Sequence, residues 1–224
     1  MIVRFERNGK IKYGWAVEDR IRVIEGNIFA AEELTVMTGL EIPLNQVRLD
    51  APCAPKQVIM VNEDLSYHSL PANGIIGPSE KMVFPALSSS PPNYGLAIGI
   101  VMKRDAKEIQ AIDVDDYVMG MTNVLTIGSC EQLLIGPGIV PKLKLGEFKM
   151  KLTVNGQTNH SLNMGEWKID LAKWLEQLTA SMTLYAGDIL IIDLERTAAL
   201  AYPEDQFEVV TDGFLIPLAT SISY

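Results

Sequence analysis

The chain has 224 residues, 48% of them hydrophobic, enough to bury a sizeable core in one large domain or in one domain with a small appendage. Nineteen Lys and Arg against 28 Asp and Glu give a formal net charge of −9, and basic residues never cluster beyond pairs such as Lys103-Arg104, which argues against a nucleic-acid partner. The two cysteines, Cys53 and Cys130, are too few for a disulfide framework or a four-cysteine zinc site and fit a reducing compartment.

The opening residues, Met1-Ile-Val-Arg-Phe-Glu-Arg7, mix charge and bulk and lack the apolar run of a signal peptide. No apolar stretch approaches the roughly 20 residues that cross a bilayer. A cytoplasmic protein with no membrane partner is expected. Asn8-Gly9 sits between two alternating runs, and Asn155-Gly156 and Asp212-Gly213 recur later. Such pairs tolerate positive φ at both positions and predict hairpins, hence antiparallel sheet. Residues 1–52 read as a small hairpin-rich β unit, joined by the Ala51-Pro-Cys-Ala-Pro55 stretch to a larger domain spanning 53–224.

The stretch from Ser69 to Asn93 carries five prolines and the run Ser88-Ser89-Ser90, with little periodicity. A loop of that length inside a domain reads as a lid. Gly95 to Met102 is strand-sized. Asp113, Asp115 and Asp116 resemble a metal cluster, but an acidic run at a turn or helix start is more often a solvated cap, and no ligand role follows. Phe148, Met150, Leu152 and Val154 alternate with polar residues as a half-buried strand does. Trp167, Leu171, Trp174, Leu175, Leu178 and Met182 form one helical stripe, for which Asn163 is the expected cap. The apolar run Phe214-Leu-Ile-Pro-Leu218 near the C-terminus offers an interaction surface. The fold class is a mixed, β-rich α+β protein.

Several segments, in this order, resemble the fumarylacetoacetate hydrolase family: Val3 to Gly9; Val58-Ile-Met-Val-Asn-Glu-Asp-Leu-Ser-Tyr-His68; Asp116-Tyr-Val-Met-Gly-Met-Thr122; Ile135-Gly-Pro137; Val154-Asn-Gly156; and, after the amphipathic helix, Thr183-Leu-Tyr-Ala-Gly-Asp188. The resemblance implies a β-roll or sandwich core preceded by a small N-terminal β unit, a small-molecule substrate, and assembly as a homodimer. It also implies three carboxylate ligands for a divalent metal. Where the family has two glutamates this chain has Asn93 and Gly95, and where it has an aspartate the alignment places Thr126. Mg²⁺ and Ca²⁺ favour hard, usually anionic oxygen ligands, so neither a metal nor another cofactor is expected. The family's lysine-bearing stretch is missing between Glu131 and Ile135, and its Thr-Gly-Thr-Pro loop reads Ile192-Asp193-Leu194-Glu195.

His68 resembles the family's general base, and histidine as a type suits proton abstraction beside a carbonyl; the glutamate often found three residues on is Pro71 here. The plainer reading of His68 is a partly exposed loop histidine. Cys130, next to Glu131, is conceivable as a thiolate activated by His68, against the commoner reading of an inert buried cysteine. Asn93, Tyr94, Thr126, Asp193 and Glu195 are expected to line a polar pocket. Two functional readings stand. One is a metal-independent enzyme acting on a carbonyl-rich small molecule by isomerisation, cyclisation or C–C bond chemistry, with His68, Cys130 and Glu131 as catalytic candidates. The other is a non-catalytic partner of an active paralogue. Retention of His68 and of the lid-like loop favours the first.

Overall fold

The computed structural model describes residues 1–30, 36–62, 66–83, 91–128, 132–141, 146–166 and 170–223, with backbone alone at 195–198. In the N-terminal segment β1 (Ile2–Arg7), β2 (Lys10–Val17), β3 (Arg20–Glu25) and β4 (Val36–Pro43) run as a meander, followed by β5 (Arg48–Asp50). Then come β6 (Val58–Val61), β7 (Tyr67–Leu70), β8 (Ile75–Ile76), β9 (Met82–Val83) and β10 (Asn93–Met102). The one-turn helix α1 (Val114–Tyr117) leads into β11 (Val118–Ile127) and β12 (Gln132–Val140). The chain closes with β13 (Lys149–Val154), β14 (Gln157–Asn163), helix α2 (Leu171–Ser181), β15 (Ile189–Leu200), β16 (Gln206–Thr211) and β17 (Leu218–Ser223).

Among the described residues these strands form two sheets. The larger runs β4-β3-β2-β1-β12-β11-β10-β15-β6-β7, with β5 added on β1 and β8 on β12; the smaller runs β14-β13-β16-β17-β9. The N-terminal meander joins the rest of the large sheet through the β1–β12 pairing at Ile2 and Ile139. The β15–β6 pairing is parallel, Ile189 to Ile192 against Val58 to Val61.

Two hairpins form where Asn-Gly predicts them. Asn8 and Gly9 take φ of 53° and 73° between the paired Arg7 and Lys10, and Asn155 and Gly156 take 51° and 77° between Val154 and Gln157. Both residues of each turn are left-handed, the twist that suits a two-residue loop. Asp212-Gly213 differs: it closes a turn with the Phe214 N–H donating to Thr211 O, but the chain continues to Leu218 before β17 begins. Phe214 and Ile216 fold back onto the N-terminal core around Phe5, so that much of the apolar C-terminal run is consumed within the chain.

Helix α2 buries Trp174, Leu175 and Leu178, with Leu171 and Met182 packed beside them, as the stripe requires. Its cap is not Asn163. That residue ends β14, and its Oδ1 accepts from the Gly165 N–H at 3.2 Å; Asp170 caps α2 by accepting from the Lys173 N–H at 3.2 Å. Trp167 lies outside the described residues. Asp113 and Asp116 sit at and within α1, where the exposed Asp116 pairs with the half-buried Arg104 at 3.2 Å.

Candidate functional site

The two faces of the large sheet separate structural from polar positions. On β10, Leu96, Ile98, Ile100 and Met102 face the small sheet and α2, in one core with Phe148, Trp174, Leu175 and Phe207. The alternate residues Ala97 and Val101 face the other way, with Val58, Met60, Leu133, Ile189 and Ile191, where Tyr13, Trp15, Ile28 and Phe29 of the N-terminal segment cover part of the surface. Period-two alternation puts Gly95 and Gly99 on this second face as well.

The sequence-predicted residues divide between these faces. Thr126 is buried, paired across the strands with Gly95, and its Oγ1 donates to the Gly95 carbonyl at 3.3 Å. Asp193 stands opposite Ala97 on β15, half-buried, on the same face. His68 pairs with Met60, which also puts it on this face, but on the edge strand β7 and exposed. At about 4.8 Å per strand, the three strand spacings from β7 to β10 put it roughly 14 Å from the Gly95 strand. Asn93 is exposed at the start of β10, and its carbonyl accepts from the Gly128 N–H at 2.8 Å. Tyr94 points the opposite way, into the core between the sheets, where its ring meets Phe207 edge-on at 5.1 Å. Sequence placed it in the pocket because it adjoins Asn93, but neighbouring strand residues project to opposite faces. Glu195 pairs by its backbone with Leu96, and Cys130 and Glu131 lie outside the described residues.

The parallel pair β6–β15 is clamped at its start by Asp188, whose weight in the architecture the sequence did not reveal. Its Oδ1 accepts from the N–H groups of Lys56 and Gln57 at 3.0 and 2.9 Å, and Oδ2 from Tyr185 N at 2.7 Å. Burial raises its pKa above the usual carboxylate range, against the opposing pull of these three donors. The only sequence signal was an acid after a glycine just ahead of an apolar strand. Cys53 is fully buried, and loss of solvation pushes its thiol well above the ordinary value, which makes it inert.

The residues at the expected ligand positions do not fit a hard divalent cation. Gly95 brings no side chain, the Thr126 hydroxyl is turned onto a backbone carbonyl, and neither carries charge. Among the described residues no three His, Cys, Asp or Glu side chains cluster as a metal site requires. A separate groove of about 540 Å³ lies on the small sheet between Glu80, Lys81, Thr153, Glu208 and Ser221, and none of the sequence-predicted residues lines it. No helix among the described residues is long and apolar enough to cross a membrane.

Comparison with known proteins places this scaffold. It is a β-rich two-sheet fold of the kind seen in the crystal structure of 2-hydroxyhepta-2,4-diene-1,7-dioate isomerase from Mycobacterium marinum, with TM-score 0.88, 21% identity, and 99% and 97% of the two chains covered. A model described as Rv2993c-like, N-terminal, matches residues 1–52, and one described as fumarylacetoacetate (FAA) hydrolase C-terminal matches residues 126–193. The match to the fumarylacetoacetate hydrolase model thus covers 126–193, about a third of the chain. The chain is also similar to an uncharacterized protein of Archaeoglobus fulgidus, 22% identical over 93% of this chain and 91% of that one. A further relative is the mitochondrial oxaloacetate tautomerase Fahd2a of Rattus norvegicus, 26% identical over 67% of this chain and 59% of that protein.

Proposed function

We propose that this chain is a metal-independent enzyme that moves a proton beside a carbonyl group of a small molecule, in an isomerisation, cyclisation or C–C bond step. The observation that carries the reading is the second face of the large sheet: Gly95 and Thr126 stand where the family resemblance puts metal ligands, and Asp193 supplies a carboxylate beside them. A largely apolar face with few polar groups is what an orienting small-molecule site needs. The tautomerase name of the rat relative points to keto–enol chemistry as the first reaction to try. A cytoplasmic homodimer without nucleic-acid or membrane partners completes the proposal.

The test follows the decay of enol-oxaloacetate by its ultraviolet absorbance, with protein treated with EDTA and with protein given Mg²⁺ or Mn²⁺. Equal catalysis in both supports the reading, and activity that appears only with metal overturns the metal-free part. Absence of catalysis in both favours the non-catalytic partner. That second reading draws on the exposed Val36, Met37 and Leu40 of the edge strand β4, an apolar strip that a partner chain could cover.

A further inference from the structure

Proton transfer beside a carbonyl requires a base, and two of the sequence-predicted residues on the second face of the large sheet carry one: His68 and Asp193. They are differently placed. His68 stands on the outermost strand, exposed, and away from the Gly95–Thr126 pair. Asp193 stands on the adjacent strand to β10, opposite Ala97, one pleat from Gly95 and Thr126. Its carboxylate bridges two environments, with Oδ1 buried and the residue as a whole half-exposed.

The backbone around it is irregular in a way that matters. The β10–β15 register shifts between Asn93 and Gly95 and again between Leu96 and Ala97. A bulge re-aims the side chains next to it and is found disproportionately beside active sites. Ala97, which faces Asp193 across the strands, and Gly95, the next residue of β10 on that face, are the smallest available and leave the carboxylate without a bulky neighbour on β10. The resemblance puts a glycine, not an acid, at position 193, so this carboxylate is an addition in this chain at a place where the three expected acids are absent.

Resting on the enzymatic reading above, we infer that Asp193 is the general base, acting on a carbonyl compound that carries an acidic C–H next to its keto group. The Asp193 carboxylate takes the proton as the C–H bond breaks. The C–H electron pair becomes the carbon–carbon double bond, and the carbonyl π pair moves onto oxygen. That oxygen takes a proton from water to give the enol, and the hydroxide left behind removes the proton from Asp193, which restores the carboxylate. The reverse order ketonises an enol. Atoms and charge balance, with no co-reactant beyond water.

The experiment uses the full-length protein and oxaloacetate as probe, with wild type read before any variant. Loss of about 100-fold in kcat/KM is expected for Asp193→Asn, within the span that general-base catalysis covers, while Asp116→Asn, on the exposed face of α1, stays within about threefold. Asp193→Gly is expected to be equally slow and to recover about tenfold when sodium formate is added, because a free carboxylate can enter the space vacated; a merely structural aspartate gives no such rescue. Asp193→Asn at wild-type rate, or Asp193→Gly deaf to formate, overturns the assignment while leaving the enzymatic reading in place. A wild type without activity overturns both, and is recognised as such before the variants are made.

Discussion

The two faces of β10 follow different rules. Leu96, Ile98, Ile100 and Met102 are all almost fully buried against a second sheet and a helix, and bulk is what each contributes. Gly95, Ala97 and Gly99, alternating with them, contribute the lack of it. One strand thus fixes the fold with large residues on one face and admits close neighbours with three small ones on the other. The lesson is that small residues on the second face are not weak packing but space held open or tightly filled by neighbours: a Cβ at position 99 would come within 2.8 Å of Thr122 Cγ2 and 3.1 Å of Ile189 Cγ2.

The comparison breaks most visibly on the packed face. Ile100→Ala removes a fully buried side chain from the inter-sheet core and should cost about 3 kcal/mol in urea unfolding. A smaller loss, about 2 kcal/mol by the same measurement, is expected from Gly99→Val, which overfills the opposite face. If Gly99→Val were the costlier of the two, the second face would be the more rigid one.

A polar pair inside the packed face sharpens the contrast further. Thr211 Oγ1 donates to Asn123 Oδ1 at 2.8 Å, with both side chains buried between the sheets. Thr211→Val alone should cost about 1 to 2 kcal/mol by leaving the amide oxygen without its donor, and adding Asn123→Leu should return much of that, since apolar replacement of both partners is close to neutral. A double variant no better than the single one would show that the pair holds the sheets in register.

The smallest effect concerns the cover of the second face. Tyr13, packed edge-on against Phe29 at 5.9 Å, has its hydroxyl pushed up to about 12, chiefly by burial, with Asp50 and Cys53 adding and Arg4 opposing. Because the folded protein holds this proton more tightly than the unfolded chain, the contribution is complete below the ordinary tyrosine value. It is lost as pH climbs through about 12. Tyr13→Phe should therefore match wild type near neutrality and lose less stability above pH of about 10, followed by denaturant midpoints across alkaline pH.

Much of this was legible beforehand because the signals are local. Asn8-Gly9 and Asn155-Gly156 specify their own turn geometry, and the Trp174–Leu175–Leu178 stripe specifies a buried helix face. The family resemblance singled out Thr126 and Asp193 but set Asp193 in a loop, whereas it lies on the long strand β15. What escaped depended on register or on competition between equivalent residues. Asn163 and Asp170 are both competent caps, and a short 3-10 turn over Met164–Glu166 decides between them by ending one element before the next begins. Tyr94 could not be assigned a face until the pairing of β10 was known. Asp212-Gly213 does lie in the connection of the antiparallel β16–β17 hairpin, but the length of that loop escaped, because Phe214 and Ile216 pack onto the N-terminal core before β17 starts.

The β1–β12 seam sets an order of assembly. Strands β1 to β4 pair with near neighbours in sequence, so their meander can form soon after synthesis, yet among the described residues its partner strand in the larger part of the sheet is β12, in the second half of the chain. The parallel partner of β6 is β15, later still. Contacts of such long separation close slowly. A growing chain must therefore carry a finished N-terminal meander and a β6 paired on one side by β7 but open on the other until the ribosome has delivered β15, and during that interval β6, four consecutive buried residues in the finished protein, is a segment in need of a chaperone's protection.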